Sequence, residues 1–167
     1  MTATGLRTAP LMLATLSMGS IAGVFALYAH TIMPGLRRTD DATFVTAFQS
    51  IDRAIINPWF IGATFLGALL FTVIAAITNR GQPAFVWIVV ALVAYGVAVA
   101  ITAAVHVPLN DAIKAAGDPR HIDNIASVRQ RFNEARWTTW NLARVVTSSI
   151  AFTSLAWALV LHGRATR

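Results

Sequence analysis

The chain has no cysteine, which removes disulfides, thiol nucleophiles and thiolate metal sites from consideration. Charge is nearly as scarce. Only 12% of the 167 residues are Asp, Glu, Lys or Arg, where a soluble domain carries about a quarter. Seven acids stand against thirteen Lys and Arg, for a net charge of +6 and a pI near 11.3. Such a balance could suit nucleic acid, but no basic stripe carries interleaved aromatics in a soluble segment, so no nucleic-acid partner is expected. The cations sit in short segments between apolar runs, where anionic lipid headgroups are the simpler partner. Repeats, low-complexity tracts and inter-domain linkers are also missing, so residues 1–167 read as a single four-span transmembrane domain.

What the chain has is apolar length. Hydrophobic residues make up 56% of it, and its mean hydropathy is +0.63. Four runs, at residues 10–33, 59–78, 84–105 and 138–161, come near the ~20 residues that a helix needs to cross ~30 Å of hydrocarbon. The first is too long for a signal-peptide core and no cleavage site follows it, so it reads as a retained helix. The fold class follows: all-α, an integral membrane four-helix bundle with short interfacial helices in its two long connections. Its first partner is the lipid bilayer. Gly19-Ser20-Ile21-Ala22-Gly23 has the spacing of small residues that lets helices approach closely, which allows a homo-oligomer.

Four spans put both termini on one side, together with the short turn at 79–83. The long connections, residues 34–58 and 106–137, lie on the other. These hold eight of the cations, Lys114 among them, whereas the terminal side holds only Arg7, Arg80, Arg164 and Arg167. The positive-inside rule then turns the long connections toward the cytoplasm, in a membrane of bacterial inner (plasma) type. In the first connection, Phe44, Val45, Phe48, Ile51 and Ile55 share one helix face over 41–56. Asp40 or Asp41 can cap it, and Asn57-Pro58 ends it. In the second, Gly117-Asp118-Pro119 breaks the chain, and a helix is expected to resume near Ile122 and run into the fourth span.

Polar residues crowd the side of the long connections. The third span breaks at His106-Val107-Pro108-Leu109-Asn110-Asp111 and carries Tyr95, Thr102 and His106 on one helix face. The fourth carries Trp137, Asn141, Arg144 and Ser148 on one face. Asn57, Asn110, Asp111 and His30 fall toward the same side. An arginine one or two turns inside a span needs a carboxylate, carbonyl or ligand, and by topology Asp111 is the nearest candidate. Amides and a guanidinium on facing helices make a donor-rich cavity suited to an oxygenated planar ligand or a developing oxyanion. The same residues also fit a structural role, with Arg144 and Asp111 as an ion pair and Trp137 and Trp140 in an aromatic belt. His30 and His106, on separate spans, could ligate haem iron or copper, but their spacing forms no motif, and no metal or cofactor is assigned. His121 and His162 read as solvated.

Taken in order, Met33-Pro34-Gly35-Leu36, Ile56-Asn57-Pro58-Trp59-Phe60, Val107-Pro108-Leu109-Asn110-Asp111 and Trp137-Thr138-Thr139-Trp140-Asn141-Leu142-Ala143-Arg144 resemble the anthrone oxygenase-like membrane proteins. This chain has His106 where the family pattern often has Asn. The resemblance implies four transmembrane helices. For characterised members it implies oxidation of an anthrone to an anthraquinone by molecular oxygen, during aromatic polyketide assembly.

Two readings follow. In the first, a cofactor-independent monooxygenase acts on a phenolic polycyclic aromatic. His106 is the preferred base and Asp111 the second, Arg144 completes the catalytic set, and Asn57, Asn110, Trp137, Trp140 and Asn141 bind substrate. The second is a non-catalytic membrane module that binds a lipophilic quinone-like ligand or a partner subunit.

Overall fold

Steps of three and four residues put Leu11, Ala14, Met18 and Ile21 on one stripe of the first apolar run, and the computed structural model buries all four completely. The structure describes residues 3–165, which contain helices and no strand. In chain order these are α1 (Gly5–Arg37), α2 (Asp41–Ile55), α3 (Trp59–Thr78), α4 (Phe85–Ala115), α5 (Ile125–Phe132) and α6 (Glu134–Ala165). Four stretches are long and apolar enough to cross a membrane: α1, α3, α4, and α5 with α6. The protein is therefore an integral membrane four-helix bundle.

Helix α6 packs along both α1 and α4, and α1 also packs along α3, which touches α4 and closes the ring. Small residues set the spacing. Ala14, Ala68, Ala75, Ala91, Ala98, Ala151 and Ala158 all lose their whole surface at these contacts, as expected where dispersion and close backbone approach replace the hydrophobic effect. Gly19 packs beneath the Phe152 ring of α6, where a Cβ would lie 2.9 Å from it, whereas Gly23 faces open space. Leu16, Leu70, Val93 and Val146 point outward to lipid.

Three spans contain a widened, π-helical stretch: Tyr28–Ile32 in α1, Trp59–Leu66 in α3 and Thr102–His106 in α4. Each has a proline beside it. Pro34 and Pro108 follow the stretches in α1 and α4, and Pro58 caps the one in α3. A proline ring inside a regular helix clashes with the carbonyl four residues back and leaves it unbonded. A wider turn moves that carbonyl away. The expected break at His106–Asp111 is corrected by this device: the helix runs through Pro108 to Ala115. The connection is correspondingly shorter.

Helix α2 forms as its pattern predicts, with Phe44, Val45 and Phe48 buried. Asp40 caps it by accepting from the Thr43 backbone N–H at 2.9 Å and hydroxyl at 2.8 Å, which holds its carboxyl below the ordinary range. The helix expected from Ile122 into the fourth span starts at Ile125 and is interrupted. Asn133 adopts a left-handed φ of 53°, ending α5, and its side chain accepts from the Arg136 N–H to cap α6. Helices α2 and α5 then fold over one mouth of the bundle. Beneath them Tyr28, Met33, Phe44, Phe48, Ile113, Phe132 and Trp137 form a second apolar cluster, apart from that of the bundle.

Candidate functional site

Trp137, Asn141, Arg144 and Ser148 recur at offsets of four, three and four, so one face of α6 carries them all inward. All four are buried. Tyr95 and His106 of α4 meet them from the facing helix, also buried. The two polar stripes therefore come together as expected.

Arg144 sits at their centre without a carboxylate. Its Nη2 donates to Asn141 Oδ1 at 2.8 Å and its Nη1 to Thr102 Oγ1 at 3.2 Å. Its guanidinium carbon lies 4.2 Å from the Phe25 ring centre and 5.6 Å from that of Trp137, so ring faces supply part of the missing counter-charge. Asn141 is held in turn by donating to the Phe25 carbonyl at 3.0 Å. The Nε–H of Arg144 is buried and has no partner. Asp111, the expected partner, is turned outward with 63% of its side chain exposed, and it pairs with Lys114 at 3.1 Å instead. The reason is the continued helix, which rotates Asp111 away from the bundle.

His106 is 1% exposed, edge-on to Trp137 with ring centres 4.9 Å apart. Its Nε2 lies 3.3 Å from the Trp137 carbonyl. A carbonyl only accepts, so Nε2 carries the proton and Nδ1 has the lone pair. Nδ1 is buried without a hydrogen bond; the Ile101 carbonyl approaches the ring but is not aligned with it. Arg144 lies within electrostatic reach of the ring. The core therefore holds one unpaired acceptor and one unpaired donor.

A second chain of contacts ties this core to the cap. Trp137 Nε1 donates to Asn110 Oδ1 at 2.9 Å, and Asn110 Nδ2 donates to Asp52 Oδ1 at 2.6 Å. Lys114 Nζ lies 2.8 Å from Asp52 Oδ2, off the hydrogen-bonding direction. Asp52 was not among the expected site residues. The available signal was its place on the apolar stripe of α2, four residues after Phe48, where a carboxylate needs a partner. Asp52→Ala is expected to destabilise the protein by about 1–3 kcal/mol, because Asn110 Nδ2 loses its acceptor, whereas Lys114 is partly exposed and keeps Asp111 at 3.1 Å. Thermal unfolding in detergent reads the loss. An unchanged melting temperature would show that the Asp52–Asn110 contact contributes nothing.

The remaining expected residues fall outside the core. Asn57 is exposed and caps α3, its Oδ1 accepting from the Phe60 N–H at 2.9 Å. Trp140 is 42% exposed on the outer face of α6. His30 is exposed and bonded to the Thr31 hydroxyl at 2.6 Å, so it does not meet His106 as a second ligand. Among the described residues no three His, Asp or Glu cluster as a metal site. His162, expected to be solvated, is buried and bonded to Thr8 at 2.8 Å. Nor does Asn110–Asn141–Arg144 line an open cavity, since Asn141 is fully buried and its amide is committed at both ends.

Fold and core together define a four-span α-helical membrane protein with a packed polar constellation under an amphipathic cap. Residues 53–154, more than half of the chain, match the family model described as Anthrone oxygenase, and the chain belongs to that family. The match holds His106, Asn110, Trp137, Asn141 and Arg144 but begins one residue after Asp52. No curated protein and no solved structure matches the chain.

Proposed function

We propose that the protein is a membrane oxygenase that oxidises a phenolic polycyclic aromatic of anthrone type with molecular oxygen. The carrying observation is the complementary pair of buried, unpartnered atoms, His106 Nδ1 as acceptor and Arg144 Nε–H as donor. A substrate with an acidic proton and a developing oxyanion uses both once the packed core, in which the two residues are closed off, opens to admit it. His106 Nδ1 takes the proton. Arg144 holds the enolate oxygen in surroundings too dry to screen it. The electron-rich carbon then meets oxygen: a ring CH2 becomes a C=O, one oxygen atom stays in the product, and the other leaves as water. Asn141 and Thr102 orient the guanidinium. Asn110 and Asp52 hold Trp137, whose carbonyl sets the His106 tautomer. The long connections, with their eight cations, face the cytoplasm of a plasma membrane.

The test is anthraquinone formation from a hydroxylated anthrone by purified, detergent-solubilised protein under oxygen, against a protein-free control for spontaneous oxidation. An enzyme-dependent rate is expected. A second reading, a non-catalytic module that binds a quinone-like ligand or a partner subunit, draws on the close packing around Arg144, whose two terminal nitrogens are already bonded to Thr102 and Asn141. No rate above the control across a panel of hydroxylated anthrones would move that reading ahead.

A further inference from the structure

Within the bilayer, threonine hydroxyls normally satisfy themselves by donating to the carbonyl four residues back. Thr15, Thr72, Thr78, Thr102, Thr147 and Thr153 all do so here. Thr64 does not, although it is 7% exposed, and among the described residues no other group bonds its hydroxyl. It lies in the widened stretch of α3. The two tyrosines contrast in the same way. Tyr95 donates to the Phe65 carbonyl at 2.9 Å, whereas the Tyr28 hydroxyl has no hydrogen-bond partner among the described residues, with the residue 8% exposed. Tyr28 opens the widened stretch of α1.

Both residues line one cleft. It has a volume of about 530 Å³ and lies between α1 and α3 under α2, walled by Leu27, Ala54, Ile55 and Phe60 as well. That size is within the range of small-molecule sites, and its make-up, apolar walls with a few polar groups, is theirs also. Its outer rim carries Asn57 and Trp59, at the level where aromatic belts sit. Its inner wall is Tyr28, whose ring lies 5.5 Å from that of Trp137, and whose hydroxyl is within electrostatic reach of Asp52 and Arg144.

From the two unpaired hydroxyls and the cleft they share, we propose that this is a binding site for a flat, lipophilic aromatic bearing a phenolic or keto oxygen, admitted sideways from the bilayer between α1 and α3. A lipid acyl chain could fill the apolar part but offers no oxygen to either hydroxyl. Oxygens spaced along a ring system can meet the two hydroxyls separately, one at Tyr28 and one at Thr64. The ring system then lies one aromatic layer, Tyr28, from Trp137. The ligand class rests on the proposed oxygenase reading; the location of the cleft does not.

The experiment is a titration of a dihydroxyanthraquinone into the full chain in lipid nanodiscs, read by quenching of tryptophan fluorescence. Tyr28→Phe and Thr64→Val each delete only a hydroxyl or exchange it for a methyl. Each is expected to weaken binding about three- to tenfold. Ala54→Trp, at the rim, is expected to block it. Anthracene, which has no oxygen, should bind independently of both hydroxyl deletions. No saturable binding to the unsubstituted protein, or unchanged affinity in all three variants, would overturn the site. Anthrone oxidation is measured alongside. Cleft-dependent binding without turnover sinks the oxygenase reading and leaves the cleft standing; turnover with binding indifferent to the variants does the reverse.

Discussion

Arg144→Met is expected to lower anthrone oxidation by a hundredfold or more while leaving the melting temperature unchanged or raised. The size of the first effect is that of removing one preorganised donor from a developing oxyanion, about 10²–10³ in rate. The second effect follows from the partners Arg144 lacks. Its hydrogen bonds go to neutral oxygens of Asn141 and Thr102, and its charge rests on the faces of Phe25 and Trp137. A cation taken out of water without an ionised partner costs several kcal/mol, and replacing such groups by apolar ones of similar volume is often neutral or stabilising. Against this stands the lost donor to Asn141 Oδ1, a penalty of about 1–3 kcal/mol. The desolvation cost is the larger, so stability does not fall. Thermal unfolding and initial rates on one preparation decide the matter. A variant that unfolds several degrees earlier yet keeps full activity would make Arg144 a structural residue. Lysine is not a conservative replacement, since it has no planar fork to reach both oxygens and no Nε–H donor.

The inward faces of α4 and α6 were legible because helical periodicity is a local property. Offsets of three, four and seven place Tyr95, His106, Trp137, Asn141, Arg144 and Ser148 inside whatever lies opposite. The partner of Arg144 was not legible, because it depended on what a proline does. Read by the usual rule, Pro108 ends the span and leaves Asp111 free to fold back. The widened stretch Thr102–His106 instead absorbs the proline, and the helix carries Asn110 and Ile113 toward α2 while Asp111 turns out. The role of Asp52 was hidden for another reason. Its partners Asn110 and Lys114 lie 58 and 62 residues away in the chain (110 − 52 and 114 − 52), and no local rule says where an interfacial helix lays its face. The unpaired hydroxyls of Tyr28 and Thr64 are the same kind of fact: a sequence shows a tyrosine and a threonine, and only the fold shows that nothing answers them.

His106→Gln is expected to cut turnover by about 10²–10⁴, the usual contribution of a positioned general base, with little change in melting temperature. Glutamine keeps what holds the residue in place. Its amide N–H₂ falls near the position of Nε2 and can still donate to the Trp137 carbonyl, and its length suits the space edge-on to the Trp137 ring. What it removes is the basic lone pair of Nδ1. Loss of activity in a folded protein therefore separates proton transfer from packing, which His106→Ala cannot do, since truncation also opens a cavity beside Trp137. His106→Asn asks a second question. Asn is smaller than the imidazole and keeps a polar amide at this position. If the protein only binds its ligand, affinity for a dihydroxyanthraquinone survives the exchange and there is no turnover to lose. If it is an oxygenase, affinity survives and turnover collapses, and added imidazole should restore part of the rate to His106→Ala by filling the space the ring left. Full activity in both His106→Gln and His106→Asn would move the base elsewhere. Asp111 is a weak successor, exposed and already paired with Lys114. The Tyr28 hydroxyl, unpartnered at the wall of the cleft and within reach of Asp52, would then be the group to test.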